Sequence, residues 1–383
     1  MQIKILLITP GITSNYNDNF HAYKYIANAG NHILALSQKI NINKGYDQPP
    51  NSEYEKISGI EIYRLFDSIR QIKSIISHQI KFKQICHKIN DFKPDVIFAE
   101  ELTCLPLAIK IKKKYKLPLV LRVEFAYDER RPYQTFGNKL KYFKNKITSD
   151  WLSKLIGRLI WEWACKNIDS LITCYYEDSL RKITTNGKLK SYYVPWSSHI
   201  PPNLNKNNLR DNYGIFIGSF DKHKNLIEFS ETIPFIFENT KVDKFYIIGY
   251  GEDIQIINNL KELYPNKLIH IISLDREDCL KLIKAALFSY SPAIRGGWGF
   301  IGDSWAAGTP LIVTHNHYGF IDDEDTIVAN KSNIAVRINQ LYDPIYFKSI
   351  STGGFLRYKN RHSAVYVGQQ YLKICSDLIS SRE

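Results

Sequence analysis

The sequence lacks the patterns that would indicate a disulfide framework, a zinc site or a membrane span. Six cysteines are scattered over 383 residues and none forms a CxxC pair, so neither bridged loops nor a metal site is expected. No apolar run approaches the roughly 18 residues that a membrane-spanning helix needs. We therefore expect a cytoplasmic protein whose cysteines are reduced core residues, with any membrane association peripheral.

Positive charge is distributed unevenly. Residues 1–195 hold 31 Lys and Arg against 18 Asp and Glu, whereas residues 196–383 hold 20 of each. The net charge of +13 therefore lies entirely in the first half. A basic surface favours an anionic partner, and a solvated lysine-rich surface is the alternative. We expect an anionic membrane surface and no nucleic acid, because no nucleic-acid-binding module is recognisable.

Buried-strand and helix patterns alternate along the chain in two series. Continuous apolar runs, such as residues 3–9, predict parallel strands, and the amphipathic stretches between them predict helices. The alternation pauses at 196–212, an asparagine-rich segment beside several prolines that is typical of a linker. We therefore predict an α/β fold with two Rossmann-like domains, 1–195 and 213–360, followed by a C-terminal helix within 361–383.

The most informative stretch runs from Ser291 to Val313. A buried strand leads into a glycine-rich loop, a helix is predicted to begin near Asp303, and Gly308 ends that helix. Glycines let the backbone approach a ligand closely, and the N-terminus of a helix attracts an anion. A carboxylate in the first helical turn could reach sugar hydroxyls beside the anion, although Asp303 could instead act as the N-cap.

This stretch resembles the donor-site signature of the GT-B glycosyltransferases, in particular the large retaining family known as family 4 or group 1. That signature has Glu-Gly-Phe-Gly, four further residues and then Glu-Ala-x-Ala-x-Gly-x-Pro. Here Gly-Gly-Trp-Gly stands at 296–299 and Asp-Ser-Trp-Ala-Ala-Gly-Thr-Pro at 303–310, with a loop one residue shorter. Gly296 thus replaces the first glutamate and Asp303 the second. The resemblance implies a GT-B fold, a C-terminal helix that crosses back to the first domain, and no metal or other cofactor.

The resemblance also implies that the second domain binds a nucleotide-sugar, UDP- or GDP-linked. Lys224 matches the family lysine and is expected to contact the diphosphate that leaves during transfer, whereas Ser219 stands at the family arginine. Lys222 or Arg295 could supply the missing charge. The expected donor-binding residues are Ser219, Lys224, Gly249, Gly251, Gly297, Trp298, Gly299 and Asp303. The structural alternatives are a solvated lysine and a tight turn in which Trp298 packs.

Candidate acceptor residues follow the strands of the first domain, namely Gly11, Glu100, Glu101 and Glu124. A carboxylate at the carboxyl end of a strand could bind acceptor hydroxyls or act as a base. We favour Glu124 as the catalytic partner of Lys224. The alternative for each glutamate is a solvated loop residue.

The stretch 151–163 places apolar residues at 152, 155, 156, 159, 160 and 163, along one face of a helix. We expect this face to pack against the sheet. An interfacial helix is the alternative, with tryptophan at the headgroup level of a membrane and basic side chains at lipid phosphates.

These patterns predict a hexosyltransferase that moves a sugar from a nucleotide-sugar to a glycan or lipid-linked acceptor with retention of configuration. Surface polysaccharide or lipopolysaccharide synthesis at the inner face of a bacterial plasma membrane is the expected setting. A non-catalytic relative that binds sugar or scaffolds a partner remains an alternative, because Ser219 and Gly296 depart from the signature. Another GT-B enzyme, such as a sugar-nucleotide epimerase, is a further alternative.

Overall fold

The structure is a computed structural model. It describes residues 2–10, 12, 19–38, 53–66, 72–123, 150–174, 189–200, 210–294, 298–316 and 319–382, with 72–80 and 150–158 described by their backbone alone. The chain divides into two compact units. Unit 1 comprises Met1–Lys44, Gln48–Pro195 and Val367–Glu383, and unit 2 comprises Gly45–Asp47 and Trp196–Tyr366.

Within the described residues, unit 1 contains an eight-stranded sheet in the order β3-β4-β2-β1-β5-β6-β7-β8. All neighbours pair in parallel except β3 and β4, which form an antiparallel hairpin. The strands are β1 (Lys4–Thr9), β2 (His32–Gln38), β3 (Tyr54–Ile57), β4 (Ile60–Phe66), β5 (Val96–Glu100), β6 (Leu119–Val123), β7 (Ser170–Thr173) and β8 (Lys190–Tyr193).

Unit 2 contains a six-stranded sheet, again counted over the described part of the chain, in the order β11-β10-β9-β12-β13-β14. Every neighbouring pair is parallel. The strands are β9 (Asp211–Ile217), β10 (Lys244–Ile248), β11 (Leu268–Ile271), β12 (Ala286–Ser291), β13 (Leu311–Val313) and β14 (Ile327–Val328).

Helices connect the strands in both units. They are α1 (Phe20–Asn28), α2 (Ile72–Phe92), α3 (Leu105–Tyr115), α4 (Asp150–Asn167), α5 (Leu226–Asn239), α6 (Ile254–Leu263), α7 (Arg276–Ala285), α8 (Trp298–Ala306), α9 (Ile334–Gln340), α10 (Pro344–Arg357) and α11 (Ala364–Ser380). Short 3₁₀ turns occur at Leu102–Cys104 and Lys222–Lys224, and a π-helical turn occurs at Tyr358–His362.

The central strands are continuous apolar runs because helices can cover both faces of a parallel sheet. Leu6, Leu7 and Ile8 of β1 are fully buried, for example. In unit 2, Gly214 of β9 lies where a β-carbon would stand 2.6 Å from the rings of both Phe245 and Phe288. The glycine therefore makes room for the aromatic side chains of the two flanking strands.

Strand order reverses once in each sheet, and this fixes where ligands are expected. In unit 1 the reversal lies between β1 and β5, and in unit 2 between β9 and β12. Ligands of open α/β sheets bind beyond the carboxyl ends of the strands at such a reversal. The loops that follow β9 and β12 therefore form the expected ligand edge of unit 2.

The predicted α/β class with two Rossmann-like sheets is confirmed, and residues from Val367 onward belong to unit 1 as the crossing C-terminal helix requires. One local prediction is wrong: helix α8 begins at Trp298 rather than near Asp303, which lies in its second turn. The C-terminal helix α11 lies within the predicted 361–383, and the extended backbone of Ser363 separates it from the π-helical turn before it.

Candidate functional site

The loops after β9 and β12 meet at the carboxyl edge of the unit 2 sheet. The backbone N–H of Ile294 donates a hydrogen bond of 2.9 Å to the carbonyl oxygen of His223. Ile294 follows β12, and His223 lies in the 3₁₀ turn that follows β9. The loop after β12 leads into α8, and the turn after β9 leads directly into α5.

Lys224 ends the 3₁₀ turn and lies within the site. The Asp221 carboxylate caps the turn by accepting a 2.9 Å hydrogen bond from the His223 N–H, and Asn225 then takes a left-handed conformation with φ +54°. The lysine stem passes over Gly218, where a β-carbon would stand 3.5 Å from Lys224 Cε. The ammonium group is thereby brought against the backbone of the loop.

Burial lowers the pKa of Lys224, and the nearby Asp221 carboxylate partly opposes this effect. Among the described residues, the Lys224 ammonium has no hydrogen bond or ion pair with a side chain. A half-buried cation without a direct ion pair is poorly solvated, so its protonated form would be stabilised further by an anion from outside the chain. The geometry therefore suits a phosphate group.

Ser219 donates a 2.7 Å hydrogen bond to Asp221 Oδ2 and brings no charge to this loop. Lys222 is exposed to solvent, and Arg295 lies outside the described residues. Ser219 thus supports the carboxylate that caps the turn, and neither of the two proposed sources of a second cation is placed beside Lys224 by the structure.

Gly249 and Gly251 build the site by close approach of two loops. Gly249 has φ +148°, and a β-carbon there would lie 1.9 Å from the carbonyl oxygen of Gly218. A β-carbon at Gly251 would lie 2.4 Å from the carbonyl oxygen of Phe220, whose N–H donates to the Tyr250 carbonyl at 3.1 Å. The two glycines let the β10 loop run alongside the β9 loop.

Trp298 and Gly299 begin helix α8. The indole of Trp298 is buried, stacks on His362 with ring centroids 4.3 Å apart, and meets Trp305 edge-on at 5.7 Å. Its side chain thus packs within unit 2, so its contribution to a ligand site would come from the backbone. Gly297, the residue before it, lies outside the described residues.

Asp303 lies one helical turn further along α8 and is only 7% exposed. Its Oδ1 accepts hydrogen bonds from Ser198 Oγ at 2.5 Å and from Arg276 Nη2 at 2.8 Å. Burial raises the pKa of Asp303, and the Arg276 charge followed by the Ser198 hydrogen bond opposes the rise. The N-cap role considered for Asp303 is excluded, because it lies inside the helix.

Glu100 has a structural role in unit 1. Its carboxylate is buried and accepts hydrogen bonds from Thr9 Oγ1 at 2.6 Å, Tyr23 OH at 2.5 Å and Arg122 Nη1 at 3.4 Å. The ring of Tyr371 from α11 stacks on the ring of Tyr23, with ring centroids 6.0 Å apart. Donors of its own unit occupy this carboxylate, and its proposed role in binding an acceptor stays a prediction.

The other acceptor candidates are Glu101, Gly11 and Glu124. Glu101 is half-buried, with φ +68°, and its N–H donates to the Arg122 carbonyl at 2.8 Å. Gly11 and Glu124 lie outside the described residues, so their proposed roles stay predictions.

The partners of Asp303 come from other segments of unit 2. Arg276 follows β11, and Ser198 falls in the predicted linker. These residues lie 27 and 105 positions from Asp303 along the chain. No local pattern could join them to it.

No family model and no curated protein sequence matches the chain. Solved structures are similar over nearly its whole length. Sucrose-phosphate synthase from Thermosynechococcus elongatus has a TM-score of 0.72 at 13% identity, covering 99% of this chain and 100% of the synthase. Anabaena HepE in complex with UDP and glucose has a TM-score of 0.67 at 11% identity, and the match covers 98% of this chain and 100% of HepE. A UDP-forming trehalose-phosphate synthase from Burkholderia xenovorans has a TM-score of 0.69 at 8% identity, and the match covers 99% of each chain.

At such low identities the likeness establishes the fold. The chain has the GT-B fold of these glycosyltransferase structures, as its signature stretch implied.

Proposed function

We propose that this protein is a GT-B hexosyltransferase that moves a sugar from a nucleotide-sugar to a glycan or lipid-linked acceptor. The half-buried Lys224, which has no direct ion pair with a side chain of the described residues and ends the turn that leads into α5, is the observation that carries the proposal. A UDP-linked donor is favoured because HepE of the same fold was solved with UDP and glucose. A GDP-linked donor is the other candidate.

Transfer breaks the bond between the anomeric carbon and the oxygen of the leaving diphosphate, which keeps the electron pair. The growing negative charge is stabilised by the Lys224 ammonium and by the N–H groups at the starts of α5 and α8. Asp303 accepts a hydrogen bond from a ribose hydroxyl. The acceptor oxygen forms the new bond to the anomeric carbon and loses its proton, and Glu124 is proposed to bind the acceptor or take that proton.

A panel of nucleotides and nucleotide-sugars tests the donor site. A ligand that binds only the folded state raises the melting temperature. We expect one of the UDP-, GDP-, ADP- and CMP-linked donors to do so, and the responding nucleotide identifies the base. Should none shift the wild-type protein, the non-catalytic alternative supported by Ser219 would replace this proposal.

Helix α4 supports a membrane-surface role for unit 1. Leu159 and Trp163, one helical turn apart, are 55% and 42% exposed, whereas Trp161 and Ala164 are buried. The expectation that 159 and 163 pack against the sheet is therefore wrong. Exposed leucine and tryptophan on one helical face suit the interface of a bilayer. No helix within the described residues is long and apolar enough to cross a membrane.

The lysine run 110–116 is partly engaged within unit 1. Lys112 forms a 2.7 Å ion pair with Asp169, and the Lys110 ammonium lies 3.8 Å from the centroid of the Phe82 ring. The apolar face of α4 therefore carries the membrane proposal more than this run does. We propose that the protein binds the anionic inner face of a bacterial plasma membrane and transfers its sugar there, with retention, in surface polysaccharide or lipopolysaccharide synthesis.

A further inference from the structure

Asp303 differs from the other buried carboxylates of the described chain in how its two oxygens are used. The buried acids are Glu100, Asp303 and Asp325. Asp325 Oδ1 accepts from the Ile321 N–H at 3.1 Å and its Oδ2 pairs with Arg357 at 2.5 Å. Both oxygens of Glu100 are likewise occupied. These two acids are satisfied by the fold alone.

In Asp303 both donors converge on one oxygen. Ser198 Oγ and Arg276 Nη2 each donate to Oδ1, and Oδ2 has no partner among the described residues. The side chain is nonetheless about nine-tenths buried, with 10% of its surface exposed. Oδ2 is therefore open to a hydrogen bond from a ligand.

The two donors come from segments distant in sequence. Arg276 is the first residue of α7, and Ser198 lies in the segment that opens unit 2, where its N–H donates to the His362 carbonyl at 2.9 Å. Arg276 is also within 3.4 Å of the His199 carbonyl oxygen. Two separately anchored groups therefore fix the carboxylate in one orientation.

We infer that Arg276 and Ser198 are positioning residues, which hold Asp303 through Oδ1 so that Oδ2 accepts a hydrogen bond from a ribose hydroxyl of the donor nucleotide. This inference rests on the proposed function. The arginine charge and the serine hydroxyl both favour the charged form of the carboxylate, and so they oppose the rise in its pKa that burial causes. A protonated Asp303 would be a weaker acceptor.

A cycle that combines variants with ligands tests this role. Isothermal titration would compare UDP with 2′,3′-dideoxy-UDP, and GDP with its dideoxy analogue, on the wild type and on Arg276→Ala, Ser198→Ala and Arg276→Lys. Losing a hydrogen bond to a charged group weakens binding about 10- to 100-fold. We expect the wild type to prefer the natural nucleotide by that factor, and Arg276→Ala to reduce the preference to about 2-fold.

Further measurements distinguish a role of Arg276 in positioning Asp303 from a general loss of structure. Binding of the dideoxy analogue should be nearly unchanged in Arg276→Ala, and Arg276→Lys should restore part of the preference because it keeps the charge. Arg337→Ala removes ion pairs of the same unit with Asp322 and Asp323, at 2.8 and 2.7 Å, and should leave the preference intact. Ser198→Ala keeps the arginine and provides a milder second test.

The pH dependence gives a further readout. The titratable groups that act on Asp303 are Arg276, Cys279 and Tyr358. Removing the Arg276 charge should raise the Asp303 pKa further. As the pH is lowered, Arg276→Ala should therefore lose its remaining preference for the natural nucleotide at a higher pH than the wild type does.

The outcomes distinguish the two proposals. A wild type that binds neither nucleotide pair would remove the proposed function and this inference together. Binding without discrimination against the dideoxy analogue would overturn the inference alone, since the donor site would then work without a ribose contact at Asp303. Full discrimination retained in both Arg276→Ala and Ser198→Ala would also overturn it.

Discussion

Gly249 and Gly218 lie in contact across two neighbouring loops. The Gly249 backbone has φ +148°, and a β-carbon there would stand 1.9 Å from the Gly218 carbonyl oxygen. The Gly218 N–H in turn donates a 3.0 Å hydrogen bond to the Ile248 carbonyl. The Lys224 side chain lies over Gly218, so the packing of these two glycines fixes the backbone beneath the proposed phosphate-binding cation.

We predict that Gly249→Ala destabilises the protein by about 3–5 kcal/mol, because the new methyl group must displace backbone atoms rather than a flexible side chain. Gly30→Ala is the matched control. Gly30 also has a positive φ, +85°, but a β-carbon there would meet no atom of another residue within 4 Å beyond its chain neighbours. Its cost should be near the backbone penalty alone, about 1–2 kcal/mol. Urea unfolding measures both, and equal losses would contradict the contact.

Lys224→Ala should weaken nucleotide binding about 10- to 100-fold, the range expected when a charged hydrogen-bond donor to phosphate is removed. Lys222→Ala is the control, because Lys222 belongs to the same turn but is exposed. Isothermal titration with UDP and GDP measures the affinity, and thermal unfolding checks that both variants fold. Equal affinities in Lys224→Ala and the wild type would remove this lysine from the site.

The sheet strands were predictable because buried parallel strands are continuous apolar runs. The run at residues 3–9, for example, became strand β1 with nearly the expected bounds. The β3–β4 hairpin was not predicted, since β3 has only four residues with Tyr54 exposed, and polar residues interrupt the apolar positions of β4, so no continuous apolar run marks either strand. Burial in the fold, rather than local pattern, stabilises this edge.

The candidate site was predictable only where its residues are consecutive. The motif that contains Lys224 and the motif that contains Asp303 each stand in one stretch of sequence, so a signature could locate them. The partners of Asp303 and Glu100 lie on distant segments, and the interactions depend on which strands the topology makes neighbours. The predicted start of α8 was misplaced because Trp298 and Gly299 follow glycines that favour a loop, whereas packing of Trp298 on His362 stabilises a helix there.

His362 should make the protein less stable in acid. Burial, with the Arg357 charge adding to it, lowers its pKa to about 3, and its Nδ1 donates to the Trp196 carbonyl at 3.2 Å. Above about pH 6.5 the histidine is neutral in both the folded and unfolded states. Between pH 6.5 and 3 the unfolded chain binds a proton that the folded chain does not, so the free energy of unfolding falls as pH falls.

We predict that His362 accounts for about 2 kcal/mol of the stability lost between pH 6.5 and pH 5, at about 1.4 kcal/mol per pH unit. His362→Phe keeps an aromatic ring against Trp298 but cannot titrate. Urea unfolding at the two pH values should show a smaller loss in this variant, although it is less stable at pH 7 for lack of the hydrogen bond. His87→Gln, at an exposed histidine, is the control. An unchanged pH dependence in His362→Phe would show that other groups cause the acid sensitivity.

Leu159 and Trp163 form the exposed apolar face of α4 that we propose contacts the membrane surface. Replacing both Leu159 and Trp163 by glutamine should weaken binding to anionic vesicles about 10-fold or more, because their apolar surface no longer enters the interface. Flotation with phosphatidylglycerol-containing and purely zwitterionic vesicles measures the binding, and nucleotide affinity should be unchanged. Leu263→Gln is the control, because Leu263 is 71% exposed but belongs to unit 2. If the wild type does not bind anionic vesicles, the membrane proposal is wrong. If the double variant binds as well as the wild type, the lipid contact lies elsewhere on unit 1, and its basic residues rather than α4 must attract the membrane.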